Sequence, residues 1–252
     1  MKLNIKHFVI FITVLFVSCK QPDNTITTIN GKRLLISDTI EAVDSIDKFI
    51  APYKEHINDV LDKPIAYNPK TISKYDKGYN TAIGNLMADI VLEQSNPVFN
   101  KRTGKNIDFV LLNHGGIRAI ISEGNVTTRT AYEIMPFENK VVVIELTSAK
   151  VKELVEYLQK SKKAHPVSGI ELVLNNDYSV KKFLINGKLP EEHKTYNVAT
   201  SDYLASGGDN MNFFKEPVNN TPLDYLIRNE IIDYFKKIDT IKTTADNRFI
   251  KL

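Results

Sequence analysis

Asn113, Gly115, Gly116 and Arg118 fall together in Asn-His-Gly-Gly-Ile-Arg, directly after the apolar run Ile107 to Leu112. An asparagine amide carries donors and an acceptor, so Asn113 can read the edge of a purine by complementary hydrogen bonds. Arg118 adds a planar fork suited to hydroxyl, carboxylate or phosphate oxygens. The glycines let the backbone approach a ligand closely or take a positive φ. Such a loop at the carboxyl end of a strand stands where open α/β sheets bind ligands. Taken alone, the stretch reads equally well as a tight loop in which Arg118 is paired structurally.

A second Gly-Gly loop supplies what the first lacks. Thr200-Ser-Asp-Tyr-Leu-Ala-Ser-Gly-Gly-Asp209 follows another apolar strand and brings an aromatic ring, Tyr203, and a carboxylate, Asp209. Phe137, after Pro136, is a further aromatic, read either as the start of a strand and part of the core or as a ligand contact. A flat base held between Phe137 and Tyr203 would gain roughly 1–3 kcal/mol per stack. Asp209 can accept from ribose hydroxyls, as acidic residues do in dinucleotide folds, or can bond its own turn. Together these groups describe a pocket for a planar heterocycle bearing hydroxyls.

Other chemistries find little support. His56, His165 and His193 are scattered, His7 lies in the N-terminal leader, and no pair has metal-ligand spacing. His114 stands alone in its loop, where a solvated or structural role is the ordinary one. No cofactor is expected in this chain. The formal net charge of +3 falls to +1 once Lys2 and Lys6 leave with the leader, so nothing indicates a nucleic-acid surface.

These loops need strands and helices to hold them. Continuous apolar strands are expected at Ile107 to Leu112 and Lys140 to Leu146, with others near 169–174, 180–186 and 195–200 and an edge strand within Lys63 to Ser73. Helical spacing predicts Ser37 to Leu61, divided or kinked at Pro52, then Thr81 to Glu93, a short helix from Thr127 or Thr128 to Met135, and Lys150 to Gln159. A last helix is expected from about Pro222 to Ile238. The elements interleave without strict βαβ order, so the expected class is α+β, a single mixed-sheet domain over 35–252.

The N-terminus speaks to compartment. Lys2 and Lys6 precede an apolar run, Phe8 to Val17, too short for a membrane span and suited to a signal peptide over 1–18. Phe16-Val17-Ser18-Cys19 resembles a bacterial lipobox, which makes Cys19, the sole cysteine, the expected lipidation site. Residues 20–32 are polar, and 19–34 are expected to form a short tether. The expectation is a lipid-anchored, extracytoplasmic protein of the cell envelope.

Five stretches carry a resemblance. Thr-Ala-Ile-Gly-Asn-Leu-Met-Ala-Asp at 81–89, Leu112 to Arg118, Val126 through Met-Pro-Phe-Glu-Asn at 135–139 into Thr147, Val-Ser-Gly at 167–169, and Ala199 to Asp209 occur in the order seen in 5′-nucleotidases. The chain resembles their C-terminal domain from about residue 35 to about residue 240. The resemblance implies a substrate-recognition domain in which Phe137 and Tyr203 stack on the base and Asn113 contacts it. Arg118 and Asp209 would meet the ribose region, and Gly169 would line the pocket, beside the close backbone approach already read for Gly116. A family arginine precedes the Gly-Asn-Leu helix; here the neighbourhood reads Lys-Tyr-Asp-Lys-Gly-Tyr-Asn at 74–80, so Lys77 is the stand-in, without a bidentate fork.

Family enzymes break the phosphate ester in a separate metallophosphoesterase domain, for which these residues have no room. Phosphate monoester hydrolysis needs up to about 10²¹-fold acceleration, and a two-metal clamp is its usual source. The implied function is the nucleotide- or nucleoside-binding half of a 5′-nucleotidase, partnered by a separate metallophosphoesterase in extracytoplasmic nucleotide catabolism. The alternatives are a stand-alone nucleoside-binding lipoprotein and a structural lipoprotein with a vestigial pocket.

Overall fold

The computed structural model describes residues 26–37 and 39–252. The expected signal peptide, Cys19 and the first part of the tether lie outside the described residues. The chain divides between Phe49 and Ile50 into two units. Helix α1, Asp44–Leu61, crosses that division, and Pro52 sits inside it without breaking it. It starts later than the spacing predicts, and none of its residues is buried despite its apolar periodicity.

The body from Ile50 is built on a five-stranded mixed sheet. Its strands are β2 (Phe109–Leu111), β4 (Lys140–Thr147), β5 (Val167–Ser168), β8 (Thr195–Ser201) and β9 (Asn219–Leu226), in the spatial order β5-β2-β8-β4-β9. Only β2 and β8 run parallel; the other neighbours are antiparallel. That parallel pair has a consequence for the site. Both strands point their carboxyl ends the same way, so the loop after Leu111 and the loop after Ser201 emerge side by side.

The apolar runs have no polar alternation because the sheet is covered on both faces. Successive residues go to opposite sides, as the period of two requires. Val110, Leu112, Val141, Val143 and Ala199 join one core with α2 (Ala82–Thr103), α3 (Thr128–Ile134) and α6 (Ile227–Lys237). Phe109, Leu111, Val142, Ile144 and Val198 join the other core, with α4 (Ser148–Ser161) and the three-stranded sheet. That second sheet has the order β10-β6-β7, from β6 (Ile170–Leu174), β7 (Val180–Ile185) and β10 (Phe249–Lys251). A two-stranded ribbon pairs β1 (Pro64–Asn68) with β3 (Gly124–Thr127).

Local chemistry sets the helix ends. Thr81 caps α2 by accepting from the Gly84 N–H at 3.1 Å, and Gly104 closes it at φ 71°, where its N–H bonds the Asn100 carbonyl. Helix α2 thus runs well past the expected Glu93 and carries Pro97 within it. Thr127 and Thr130 form a reciprocal capping box at the start of α3.

Two expectations need correction. Asn219–Leu226 is a strand, so the last helix begins at Ile227 rather than Pro222. Proline is tolerated there because β9, among the described residues, pairs with β4 alone and lies at the sheet edge. The register shift opposite Lys140/Val142 coincides with Asp224 at φ 53° and bends the strand into the helix. Phe137 does not start a strand, since β4 begins at Lys140; the ring stands on the preceding bend and is 39% exposed.

Candidate functional site

The loops after β2 and β8 meet the bend before β4 at one cavity of about 330 Å³. It is lined by Asn113, Gly115, Gly116, Arg118, Phe137, Asn139, Tyr203 and Asp209. Residues from three separate stretches of sequence are therefore gathered at one end of the sheet. Phe137 and Tyr203, 39% and 45% exposed, both face this space. Rings of this size left uncovered at a cavity offer apolar faces to a ligand.

The first loop turns immediately. His114–Gly116 forms a 3-10 turn in which the Gly116 N–H bonds the Asn113 carbonyl at 3.0 Å. Gly116 is required by proximity, because a Cβ there would lie 2.7 Å from Asn113 Oδ1. Arg118 is anchored through its backbone, whose N–H donates to the Ile134 carbonyl at 2.9 Å. Its guanidinium lies 5.7 Å from the Phe137 ring centroid and donates to the Gly115 carbonyl at 3.4 Å. Among the described residues no carboxylate forms a salt bridge with it, which leaves most of its donors for a ligand.

The second loop starts from helix α5, Asp202–Ala205, capped by Ser201, whose hydroxyl accepts from the Leu204 N–H. Gly207 at φ 94° and Asp209 at φ 51° turn the chain back on itself. Gly208 has no room for a side chain, because a Cβ would meet the Tyr203 ring at 2.5 Å. The turn folds Asp209 under the Tyr203 hydroxyl, which donates to Oδ1 at 3.1 Å. Asn113 Nδ2 donates to Oδ2 at 2.7 Å and ties the two loops together. Each carboxylate oxygen keeps acceptor capacity beyond these single bonds.

Of the residues expected at the site, Asn113, Gly116, Arg118, Phe137, Tyr203 and Asp209 share the cavity. Gly169 does not line it. At φ 82° it presses on the other end of β2, where a Cβ would lie 2.6 Å from the Asp108 carbonyl oxygen. Lys77 is exposed and also stands apart from the lining. Lys74 touches the first loop: its Nζ donates to the Ile117 carbonyl, and burial together with the Arg118 charge holds its ammonium below the usual value.

Sequence reasoning misses Asn139, although it stands within the Met135–Asn139 motif as a polar side chain just ahead of a buried strand. Tyr157 carries no signal in the sequence, because its helical position matches any partly buried aromatic. Its hydroxyl donates to the Asp209 carbonyl at 2.9 Å. Among the described residues no three His, Cys, Asp or Glu side chains are grouped so as to hold a metal ion. The cavity lining itself offers one carboxylate, Asp209, beside amide, guanidinium and aromatic side chains.

A family model described as the 5′-nucleotidase C-terminal domain matches residues 64–216. The trifunctional nucleotide phosphoesterase protein YfkN of Bacillus subtilis is 27% identical over 215 residues, which are 79% of this chain and 14% of that protein. Protein UshA of Escherichia coli is 32% identical over 114 residues, 43% of this chain and 20% of UshA. Among solved structures, the 5′-nucleotidase precursor of Thermus thermophilus matches with a TM-score of 0.69 at 22% identity, covering 83% of this chain and 43% of that one. The NAD nucleotidase of Haemophilus influenzae matches with a TM-score of 0.60 at 19% identity, covering 82% and 41%. At these identities the structural likeness shows the fold. The chain spans less than half the length of each of these relatives.

Proposed function

The chain belongs to the 5′-nucleotidase C-terminal domain family, and we propose that it binds the nucleoside part of a nucleotide for hydrolysis by a metallophosphoesterase lying outside these residues. The observation that carries this reading is the shared cavity of Phe137 and Tyr203, with Asn113, Arg118 and Asp209 around it. The base enters between the two rings and gains roughly 1–3 kcal/mol per stack. Asn113 reads the base edge from the turn that fixes its backbone. Asp209 accepts from the ribose hydroxyls, and Arg118 donates to oxygens of the sugar or the adjoining phosphate.

Bond cleavage is assigned to the partner. Metal ions held there would supply the water activation and charge stabilisation that phosphate ester hydrolysis requires. What this domain contributes is position: holding the nucleoside converts a chance encounter with the metal centre into a fixed approach.

We further propose that residues 1–18 are a lipoprotein signal peptide, that Cys19 is acylated, and that 19–34 tethers a domain beginning near residue 35 at the outer side of a bacterial membrane. Among the described residues no helix is long and apolar enough to cross a membrane, so the tie to the bilayer in this reading is the lipid. Nucleotide breakdown at that place returns nucleoside and phosphate to the cell.

The test of the split activity is direct. AMP hydrolysis is measured for a dimetal phosphoesterase of the same cell with and without this chain. The reading predicts a rate increase that needs both proteins and is lost with Phe137→Ala. No gain, with adenosine still bound, would reduce the chain to a stand-alone nucleoside-binding module.

A further inference from the structure

Beneath the cavity lies a pair of residues that do not line it. His165, 3% exposed, follows α4 and precedes β5. Tyr157 comes from α4 itself. Their rings are 5.5 Å apart, and Tyr157 in turn lies 5.5 Å from Phe213, which packs on Phe214 in the core. The stack therefore runs from the packed interior up to both loops of the site.

Each member holds one loop. The β2–β5 ladder pairs Leu111 with Val167 and continues through the Leu112 N–H to the Pro166 carbonyl at 2.9 Å. Two residues on, the His114 amide finds a side chain instead of a backbone acceptor: His165 Nδ1 accepts it at 3.3 Å. His114 Nδ1 in turn lies 3.3 Å from the Ala164 carbonyl oxygen. The imidazole thus extends the ladder past its last strand residue and pins the turn that carries Asn113, Gly115 and Gly116. On the other side, the Tyr157 hydroxyl donates to the Asp209 carbonyl and pins the turn that carries Asp209. Among the described residues His165 Nε2 is buried with no hydrogen-bond partner, so the ring meets the loop through Nδ1.

We propose that His165 and Tyr157 are positioning residues that together set the gap between the Asn113–Gly116 loop and the Gly207–Asp209 loop. The proposal rests on the nucleoside-binding reading for what the gap serves, and on the geometry alone for how it is held. A side chain that only filled the core would be replaceable by an apolar residue of similar size. A side chain that works through Nδ1 is replaceable only by one that restores an acceptor at that point. Asparagine does so, because its Oδ1 lies at about the distance of Nδ1 from the backbone.

The experiment compares the intact chain with His165→Leu, His165→Asn and Tyr157→Phe. Calorimetry reads adenosine and AMP affinity, and hydrogen exchange reads the His114 amide without any ligand. The account predicts that His165→Leu weakens adenosine binding about tenfold or more and deprotects the His114 amide. His165→Asn restores both, to within about threefold in affinity. Tyr157→Phe, which removes one hydroxyl and keeps the ring, weakens binding three- to tenfold with almost no change in melting temperature. Asparagine behaving like leucine, or leucine leaving His114 protected and binding intact, would overturn the proposal. If the unaltered chain binds neither adenosine nor AMP, the nucleoside reading fails, and the His114 exchange pattern still decides the positioning role. If the leucine variant does not fold, asparagine against wild type and the Tyr157→Phe affinity decide it.

Discussion

Asn113 and Asp209, 96 positions apart in the chain, meet at 2.7 Å across the mouth of the cavity. The contact exists because β2 and β8 lie parallel and adjacent, so the loops that follow them leave the sheet together. One side chain offers donors to a ligand and the other offers acceptors. Their bond holds both in place before any ligand arrives, which lowers the ordering cost of binding.

Removing the Asp209 charge tests its assignment to the sugar. A hydrogen bond to a charged group contributes about 1.5–3 kcal/mol, so Asp209→Asn is expected to weaken adenosine binding about tenfold or more. The same change should matter little for 2′,3′-dideoxyadenosine, which lacks the ribose hydroxyls. Calorimetry with both compounds checks this, and equal losses for the two would assign Asp209 to another part of the ligand.

Gly116→Ala is a test of close approach rather than of backbone freedom. The new Cβ would stand 2.7 Å from Asn113 Oδ1 and push that amide aside. Gly115→Ala would meet Asn113 Nδ2 only at 3.4 Å. The first substitution should weaken adenosine binding at least tenfold with a melting temperature changed by a few degrees at most, and the second should have a much smaller effect. Titrations on the two variants side by side settle the comparison.

Stability should depend on pH through His165. Burial, reinforced by the His114 and Lys163 charges and opposed by Asp209 and the Leu112 carbonyl, lowers its pKa from 6.5 to about 4. The fold holds the neutral ring, so between those values the unfolded chain binds more protons. Stability is therefore full above about pH 6.5 and lost as the pH falls towards 4, by about 3 kcal/mol at most. Urea midpoints from pH 7 to 4.5 should fall for the unaltered chain and fall less for His165→Asn.

Glu230 should show the opposite sign. It is fully buried on α6, accepts from the Ser95 hydroxyl, and has no partner for Oε2 among the described residues. Burial, with a smaller push from Asp233, raises its carboxyl well above the ordinary range, against the pull of Ser95. The fold favours the protonated acid, so this contribution is present at low pH and lost as pH rises through the raised pKa. Glu230→Gln cannot ionise. Its stability relative to the unaltered chain should rise between pH 5 and pH 9, as read from paired denaturation curves.

Much of this site is legible in the sequence because its residues mark themselves. Asn113, Gly116 and Arg118 follow a strand made visible by its unbroken apolar run, and Asp209 follows a Gly-Gly that only a turn accommodates. Gly169 shows the limit of such reading. Its motif is plain, yet its φ of 82° and its press on Asp108 concern the packing of β5 against β2, away from the cavity. His165 and Tyr157 are illegible for another reason. Each acts through a single hydrogen bond to a distant backbone atom, and no spacing records such a bond. Strand β9 reads as helix because Pro222 suits a helix start as well as a sheet edge, and only the pairing with β4 decides between them.

Calorimetric titration of adenosine into the unaltered chain and into Phe137→Ala and Tyr203→Ala tests most directly whether a base lies between the two rings. The account predicts measurable binding to the unaltered chain and a loss of about tenfold or more in each variant, in line with roughly 1–3 kcal/mol per stacked ring. Equal affinity in all three proteins would contradict it.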